Sequence, residues 1–452
     1  MIKEVINKLR ERKLLTRIFK NTGWILAQNM VSLCLALVVN VIIARYFGTE
    51  RYGTFTYVLS IVTLFSGIAG FGIHHIAIKD LKIKPEKENE ILGTSFIVRV
   101  ILAIVLLTLT DITIYLINGN NQTIMIIAII LSSMMLFNCF DVIDYYNNAN
   151  MKVKYTVIPK IISIIVVSVL KILIIVFKLS IEYYALMYLI EVIIYAMGLI
   201  ISYKIIKKQQ SNTIKWKFDK EYAKELLGQS WYFAISSLMI TIYMKIDQTM
   251  LGIMIEDKSE VGIYSAAVQI AEMWAVVPSA IITAIKPVII EKKNTNQSEY
   301  NDSLNKLYYA VSGVGILFSL GITIFSNLII FILYGNEYMA AAPLLSILVF
   351  GTWIGTLGNV HYVWLVCENK SKYSVFYSLS GCISNIIINL ILMPKYKAVG
   401  AAIATLLSQI IANVVSFVAF KETRVLTWQA LKAVFMIDAI KDIKQKIKGR
   451  IQ

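Results

Sequence analysis

Apolar residues in this chain run in stretches of twenty or more, separated by short polar segments, and the pattern repeats twelve times. A helix rising 1.5 Å per residue needs roughly 20 apolar residues to cross a hydrocarbon layer about 30 Å thick. On that rule membrane-spanning helices are expected at 22–44, 52–73, 93–118, 122–146, 158–178 and 183–203. Six more are expected at 230–254, 262–290, 307–333, 343–367, 373–393 and 398–420. Pro278 is expected to kink the long eighth stretch and Pro287 to end it. The fold class is therefore all-α, a polytopic membrane protein of twelve helices. The expected organisation is a basic segment 1–21, a six-helix lobe 22–203, a basic linker 204–229, a second lobe 230–420 and an amphipathic basic tail 421–452.

Composition agrees with the pattern. Hydrophobic residues make up 58% of the chain and the mean hydropathy is +0.69, more than a water-facing surface of this size tolerates. Charge then sets the orientation. Sorted by side, 35 of the 44 Lys and Arg fall in 1–21, 74–92, 147–160, 204–229, 286–306, 368–372 and the tail. Six lie on the opposite side: Arg45, Arg51, Lys178, Lys258, Lys395 and Lys397. Arg99, Lys171 and Lys245 fall inside spans. Basic loops stay on the cytoplasmic side, so both termini are expected in the cytoplasm. The net charge of +16 then reads as topology plus attraction to anionic inner-leaflet lipids. It requires no nucleic-acid partner.

Soluble chemistry is not visible. Cys34, Cys139, Cys367 and Cys382 are scattered through spans, and His74, His75 and His361 show no ligand spacing, so no metal or cofactor is expected. Nucleophile–base pairs and phosphate-cradling glycine loops are absent from the sequence. The tail sets Trp428, Leu431, Phe435, Ile440, Ile443 and Ile447 at helical spacing among lysines, an interfacial helix.

An internal repeat is visible. Lys152-Val153-Lys154-Tyr155-Thr156-Val157 opens the fifth span, and Lys370-Ser371-Lys372-Tyr373-Ser374-Val375 opens the eleventh, 218 residues later. A second echo relates Phe47-Gly48, Gly53 and Phe55 to Leu251-Gly252, Gly262 and Tyr264, 204 to 209 residues later. Each half holds six spans, an even number, so the halves are parallel and a substrate site is expected between them near the midplane.

At these residues the chain resembles the oligosaccharide flippases of the polysaccharide biosynthesis group, in the multidrug/oligosaccharidyl-lipid/polysaccharide exporter superfamily. Ala44-Arg45-Tyr46-Phe47-Gly48 leading to Tyr52-Gly53 is similar to the family's first hairpin. Asp247, Leu251-Gly252 and Val261-Gly262-x-Tyr264 resemble its seventh-helix motif, and Pro278 and Pro287 its eighth. Asn385, Asn389, Pro394 and Gly400-Ala401-Ala402-Ile403-Ala404-Thr405 resemble its eleventh-to-twelfth connection. The resemblance implies two six-helix lobes around a central cavity lined mainly by spans 1, 2, 7 and 8. It also implies a substrate, an oligosaccharide repeat unit on a polyprenyl pyrophosphate.

Charges inside spans are costly and face a bundle or a wet cavity. Arg45, Arg99, Lys171 and Lys245 are candidate phosphate contacts, since fixed cations offset the desolvation of a pyrophosphate. Asn29 and Gln269 are candidate sugar contacts, with helix-to-helix hydrogen bonding as the competing role. Lys171 can equally form an ion pair with Glu191 at comparable depth. Glu272, or failing that Asp247, is the candidate carboxylate for a coupling proton or sodium ion. The expected activity is non-enzymatic movement of the lipid-linked oligosaccharide from inner to outer leaflet by alternating access, with a polysaccharide polymerase as candidate partner. A multidrug–cation antiporter and a non-transporting scaffold for glycan assembly are the alternatives. Buried cations disfavour the first, and the cost of buried charge disfavours the second.

Overall fold

The computed structural model describes residues 2–209 and 215–435, with side chains from residue 21 onward except those of Thr22, Ser236 and Asn294. Helix dominates, and no strand occurs among the described residues. The chain divides into two compact units, Met1–Phe47 with Tyr57–Thr241, and Gly48–Thr56 with Ile242–Gln452. The turn between the first two spans thus belongs to the second unit, and the seventh span changes unit partway along.

The first unit holds α1 (Ile2–Ala69), α2 (Ile73–Ile83), α3 (Glu88–Asn118), α4 (Gln122–Ser132) and α5 (Met134–Phe137). It continues with α6 (Val142–Ala149), α7 (Lys154–Val176), α8 (Ile181–Gln209) and the start of α9 (Lys220–Met254). The second unit holds the rest of α9, then α10 (Ser259–Met273), α11 (Val276–Thr295), α12 (Gln297–Tyr334), α13 (Ala341–Cys367), α14 (Lys372–Ile410) and α15 (Arg424–Val434).

Nine stretches of described helix are long and apolar enough to cross a membrane. Two joins and one omission relate these nine to the twelve spans. Gly23–Ile83 contains the first two spans, and Lys372–Val418 contains the last two. Each join carries a residue with non-helical backbone, Gly48 (φ 74°, ψ 177°) in α1 and Lys397 (φ 48°, ψ −127°) in α14. The omission is 230–254 in α9. Its Ser, Thr, Lys, Asp and Gln lower its hydropathy below that of the other spans, and Asp247 among them is the centre of the site described below.

Of the two proline expectations, the break set by Pro278 is present and the helix end at Pro287 is corrected. The eighth stretch breaks at Trp274–Ala275, ahead of Pro278, with Val277 N donating to Trp274 O at 3.0 Å. Pro278 has no N–H to offer the carbonyl of Trp274, so it sits in the first turn of a new helix, where that loss matters least. Pro287 lies inside α11 and does not end it. The helix runs on to Thr295, where extended Asn296 takes over and caps α12 by accepting from Ser298 N at 3.0 Å and Glu299 N at 3.3 Å. A strong cap for the next helix, rather than the proline, sets the boundary. The fourth span is also less regular than its hydrophobicity suggests. It passes through α4, α5, a 3₁₀ turn at Asn138–Asp141 and α6.

The repeat is present in the backbone of both units. Met151 (φ 54°) and Asn369 (φ 55°) are left-handed turn residues 218 positions apart. Lys152 N donates to Asn147 O at 2.7 Å, and Lys370 N to Leu365 O at 2.7 Å. The lysines also do the same thing: Lys152 Nζ lies 5.6 Å from the Tyr146 ring centre, and Lys370 Nζ lies 5.4 Å from that of Trp364. Each of these features of one turn finds its counterpart at the same offset. In the tail, Trp428 and Leu431 lie in α15, while the positions at 440, 443 and 447 fall outside the described residues.

Candidate functional site

Asp247, near the end of α9, is buried, with 6% of its surface exposed. Its carboxylate is surrounded by neutral donors from α10 and from both arms of α14. Asn389 Nδ2 donates to Oδ1 at 2.5 Å. Tyr264 Oη donates to Oδ2 at 2.8 Å, and Thr405 Oγ1 donates to the same atom at 2.5 Å. Asn389 also donates to Asn385 Oδ1 at 3.0 Å, and Asn385 in turn reaches Ser408 Oγ at 3.5 Å. Tyr264, Asn385 and Asn389 are all buried. One polar atom is left over, since Asn389 Oδ1 is buried and has no hydrogen-bond partner.

The local sequence explains the convergence. Asn385 and Asn389 are four apart on α14 and share a face. Tyr264 sits in the small Gly262–Ala267 run on α10. Thr405 follows the Lys397 break, where Ala398, Gly400, Ala401, Ala402 and Ala404 remove bulk, and a Cβ on Gly400 would lie 2.6 Å from Leu392 O. Small residues let the chain double back so that Thr405 returns to the depth of Asn389.

A buried carboxylate held only by neutral groups is a costly ionised species. It is stabilised by taking up a proton or by binding a cation. The available ligand atoms are all oxygens, the donor type for hard cations. A single carboxylate suits a monovalent ion, and no group of three His, Cys, Asp or Glu placed to hold a metal occurs among the described residues. Rotation of the Asn389 amide about its terminal bond turns the orphan Oδ1 toward Asp247. These residues therefore fit a proton or a sodium-like ion.

The other expected residues separate. Arg99 is buried, donates to Tyr145 Oη and pairs with Asp141 Oδ2 at 3.5 Å. Lys171 is also buried, and its ammonium lies 4.1 Å from the ring centre of Tyr188 and 5.4 Å from that of Tyr184. The alternative ion pair between Lys171 and Glu191 is not formed. Glu191 Oε1 instead pairs with Lys160 at 2.9 Å, because Lys160 lies near the start of α7, where Glu191 on α8 passes it. Gln269 accepts from Tyr334 Oη at 3.2 Å, an interhelical bond within the second unit. Arg45 and Asn29 are exposed on α1, and Lys245 is half-buried on α9. Glu272 is exposed at the end of α10, with Lys245 the charge that acts on it. The carboxylate with a built oxygen shell is therefore Asp247, not Glu272. Tyr264, Asn385, Asn389 and Thr405 belong to motifs visible in the sequence, but nothing in their spacing shows that they meet one carboxylate.

Residues 18–293 match the family described as polysaccharide biosynthesis protein, and residues 233–391 match the family described as MatE. Two relatives come from Haloferax volcanii. The probable low-salt glycan biosynthesis flippase Agl15 is 28% identical over 190 residues, 41% of this chain and 39% of that protein. The probable flippase AglR is 28% identical over 203 residues, 41% of this chain and 40% of that protein. The match thus spans about two fifths of the length of these relatives. Among solved structures, the lipid II flippase MurJ in an inward closed conformation aligns at TM-score 0.66 and 18% identity, covering 92% of this chain and 91% of that one. An inward-facing multidrug resistance MATE transporter aligns at TM-score 0.67 and 13% identity, covering 91% and 96%. These likenesses establish the twelve-helix fold.

Proposed function

The chain belongs to the polysaccharide biosynthesis protein family, and from that premise we propose that it is a flippase. Its proposed cargo is an oligosaccharide repeat unit on polyprenyl pyrophosphate, moved from the inner to the outer leaflet without a chemical step. The family match over residues 18–293 carries this reading, and the two Haloferax relatives described as flippases support it. The buried Asp247 shell supports coupling to a proton or sodium ion. Arg45 and Lys245 are the cations proposed to meet the pyrophosphate. Arg99 and Lys171, which also hold an ion pair and two tyrosine rings respectively, are proposed as further contacts on the same path.

The test is flipping of a lipid-linked oligosaccharide in proteoliposomes under an imposed proton or sodium gradient. Wild-type protein should move the lipid in a gradient-dependent way. Asp247→Asn should remove the gradient dependence, and Arg45→Gln and Lys245→Gln should each slow transport. Gradient-driven uptake of a cationic dye with no movement of the lipid would favour the antiporter and overturn the glycan reading.

A further inference from the structure

The helix that starts at Thr49 has no cap of its own. The first N–H groups of a helix need acceptors, usually supplied by a Ser, Thr, Asp or Asn at the N-cap. Gly48 occupies that position here. Its backbone (φ 74°, ψ 177°) lies in a region that only glycine enters readily, and it carries no side chain to cap with. The acceptor comes from 288 residues away. Glu337 Oε1 accepts from Thr49 N at 2.7 Å and from Thr49 Oγ1 at 3.1 Å. A Cβ on Gly48 would lie 2.5 Å from the same Oε1, so the glycine both lacks a cap and leaves room for this one.

Around the cap, two helices touch backbone to backbone. A Cβ on Gly53 would lie 1.8 Å from Lys258 O, and one on Gly262 would lie 2.1 Å from Thr49 O. Both pairs, 49 with 258 and 53 with 262, are related by the offset of 209 found in the Gly53–Gly262 echo. The crossing is therefore reciprocal. The cap breaks the symmetry. At the offset of 209 Gly48 aligns with Asp257, whose side chain accepts from Ser259 N at 2.9 Å, at the start of its own helix.

The segment Gly48–Thr56 belongs to the second unit, while Phe47 and Tyr57 on either side belong to the first. Any rearrangement of the first unit therefore pulls on this segment. The acceptor itself is open to solvent. Glu337 sits on an exposed turn after Gly335, so water can replace Thr49 at its carboxylate.

We propose that Glu337 is a positioning residue for transport, a detachable cap that holds Gly48–Thr56 in the second unit and releases Thr49 once per cycle. Only the transport arm of the test rests on the flippase reading. In the first arm, hydrogen exchange is measured on full-length protein. Glu337→Ala should speed exchange of the amides in 48–56 by about fivefold, the effect of losing one helix cap. Glu337→Gln retains a carbonyl acceptor and should give an intermediate rate, with α12 unchanged in both variants. In the second arm, Thr49→Cys and Glu337→Cys are joined by a short cleavable cross-linker in protein lacking its native cysteines. Joining should stop flipping of lipid-linked oligosaccharide, and cleavage should restore it. Unchanged exchange in Glu337→Ala, or full-rate transport while cross-linked, would overturn the proposal. If the uncross-linked protein moves no such lipid, the flippase reading fails and the exchange arm alone decides the role of Glu337.

Discussion

At the scale of single residues, burial and partners sort the charges that the sequence places inside spans. Asp247 has only neutral hydrogen-bond donors, so its negative charge stays uncompensated until an ion or proton arrives. Asp247→Asn removes that charge at constant volume. The variant should remain folded, with thermal stability in detergent equal to or above that of the wild type. Arg99 shows the opposite case. Its ion pair with Asp141 is internal, so Asp141→Asn leaves a buried guanidinium poorly paired. That variant should lose about 2 kcal/mol of stability, measured as a lower melting temperature. Glu272 and Lys245 give a third test. If they act only as a pair, the double variant Glu272→Gln, Lys245→Gln should transport in a gradient-dependent way. Loss of gradient dependence in that double variant would return Glu272 to the coupling step.

At the scale of elements, the breaks carry more information than the helices. Gly48, Lys397 and the Trp274–Ala275 step divide long apolar runs, and the Lys397 break brings Thr405 back to Asp247. The repeat turns make a sharper prediction. Asn369 tolerates its left-handed backbone, as asparagine often does, whereas Met151 holds φ 54° against the clash of its Cβ. Met151→Gly should therefore raise stability by about 1 kcal/mol. Asn369→Gly should change it little, and thermal unfolding of the two variants side by side checks the difference. Hydrophobicity made the helices legible and Pro278 marked the break four residues before it, whereas Pro287 misled because a proline is costly only where its missing N–H or its ring meets an occupied site.

At the scale of the whole molecule, charge asymmetry predicts an arrangement that labelling can check. Cysteines at 215 and near the C-terminus should react only from the cytoplasmic side, and cysteines at 120, 258 and 337 only from outside. Reaction of position 215 with an impermeant reagent on intact cells would reverse the assignment, since its loop 204–229 holds seven basic residues. The all-helical class, the twelve spans and the two-fold repeat are determined by the sequence alone. Each rests on a local quantity: the length of an apolar run, or the recurrence of a short pattern at a fixed offset. The Asp247 shell and the Glu337 cap are decided only in the tertiary structure. Asp247 lies 142 positions from Asn389 and 158 from Thr405, and Thr49 lies 288 from Glu337. No local periodicity reaches that far. Those contacts exist because glycines and alanines let helices approach until distant backbone and side-chain groups meet.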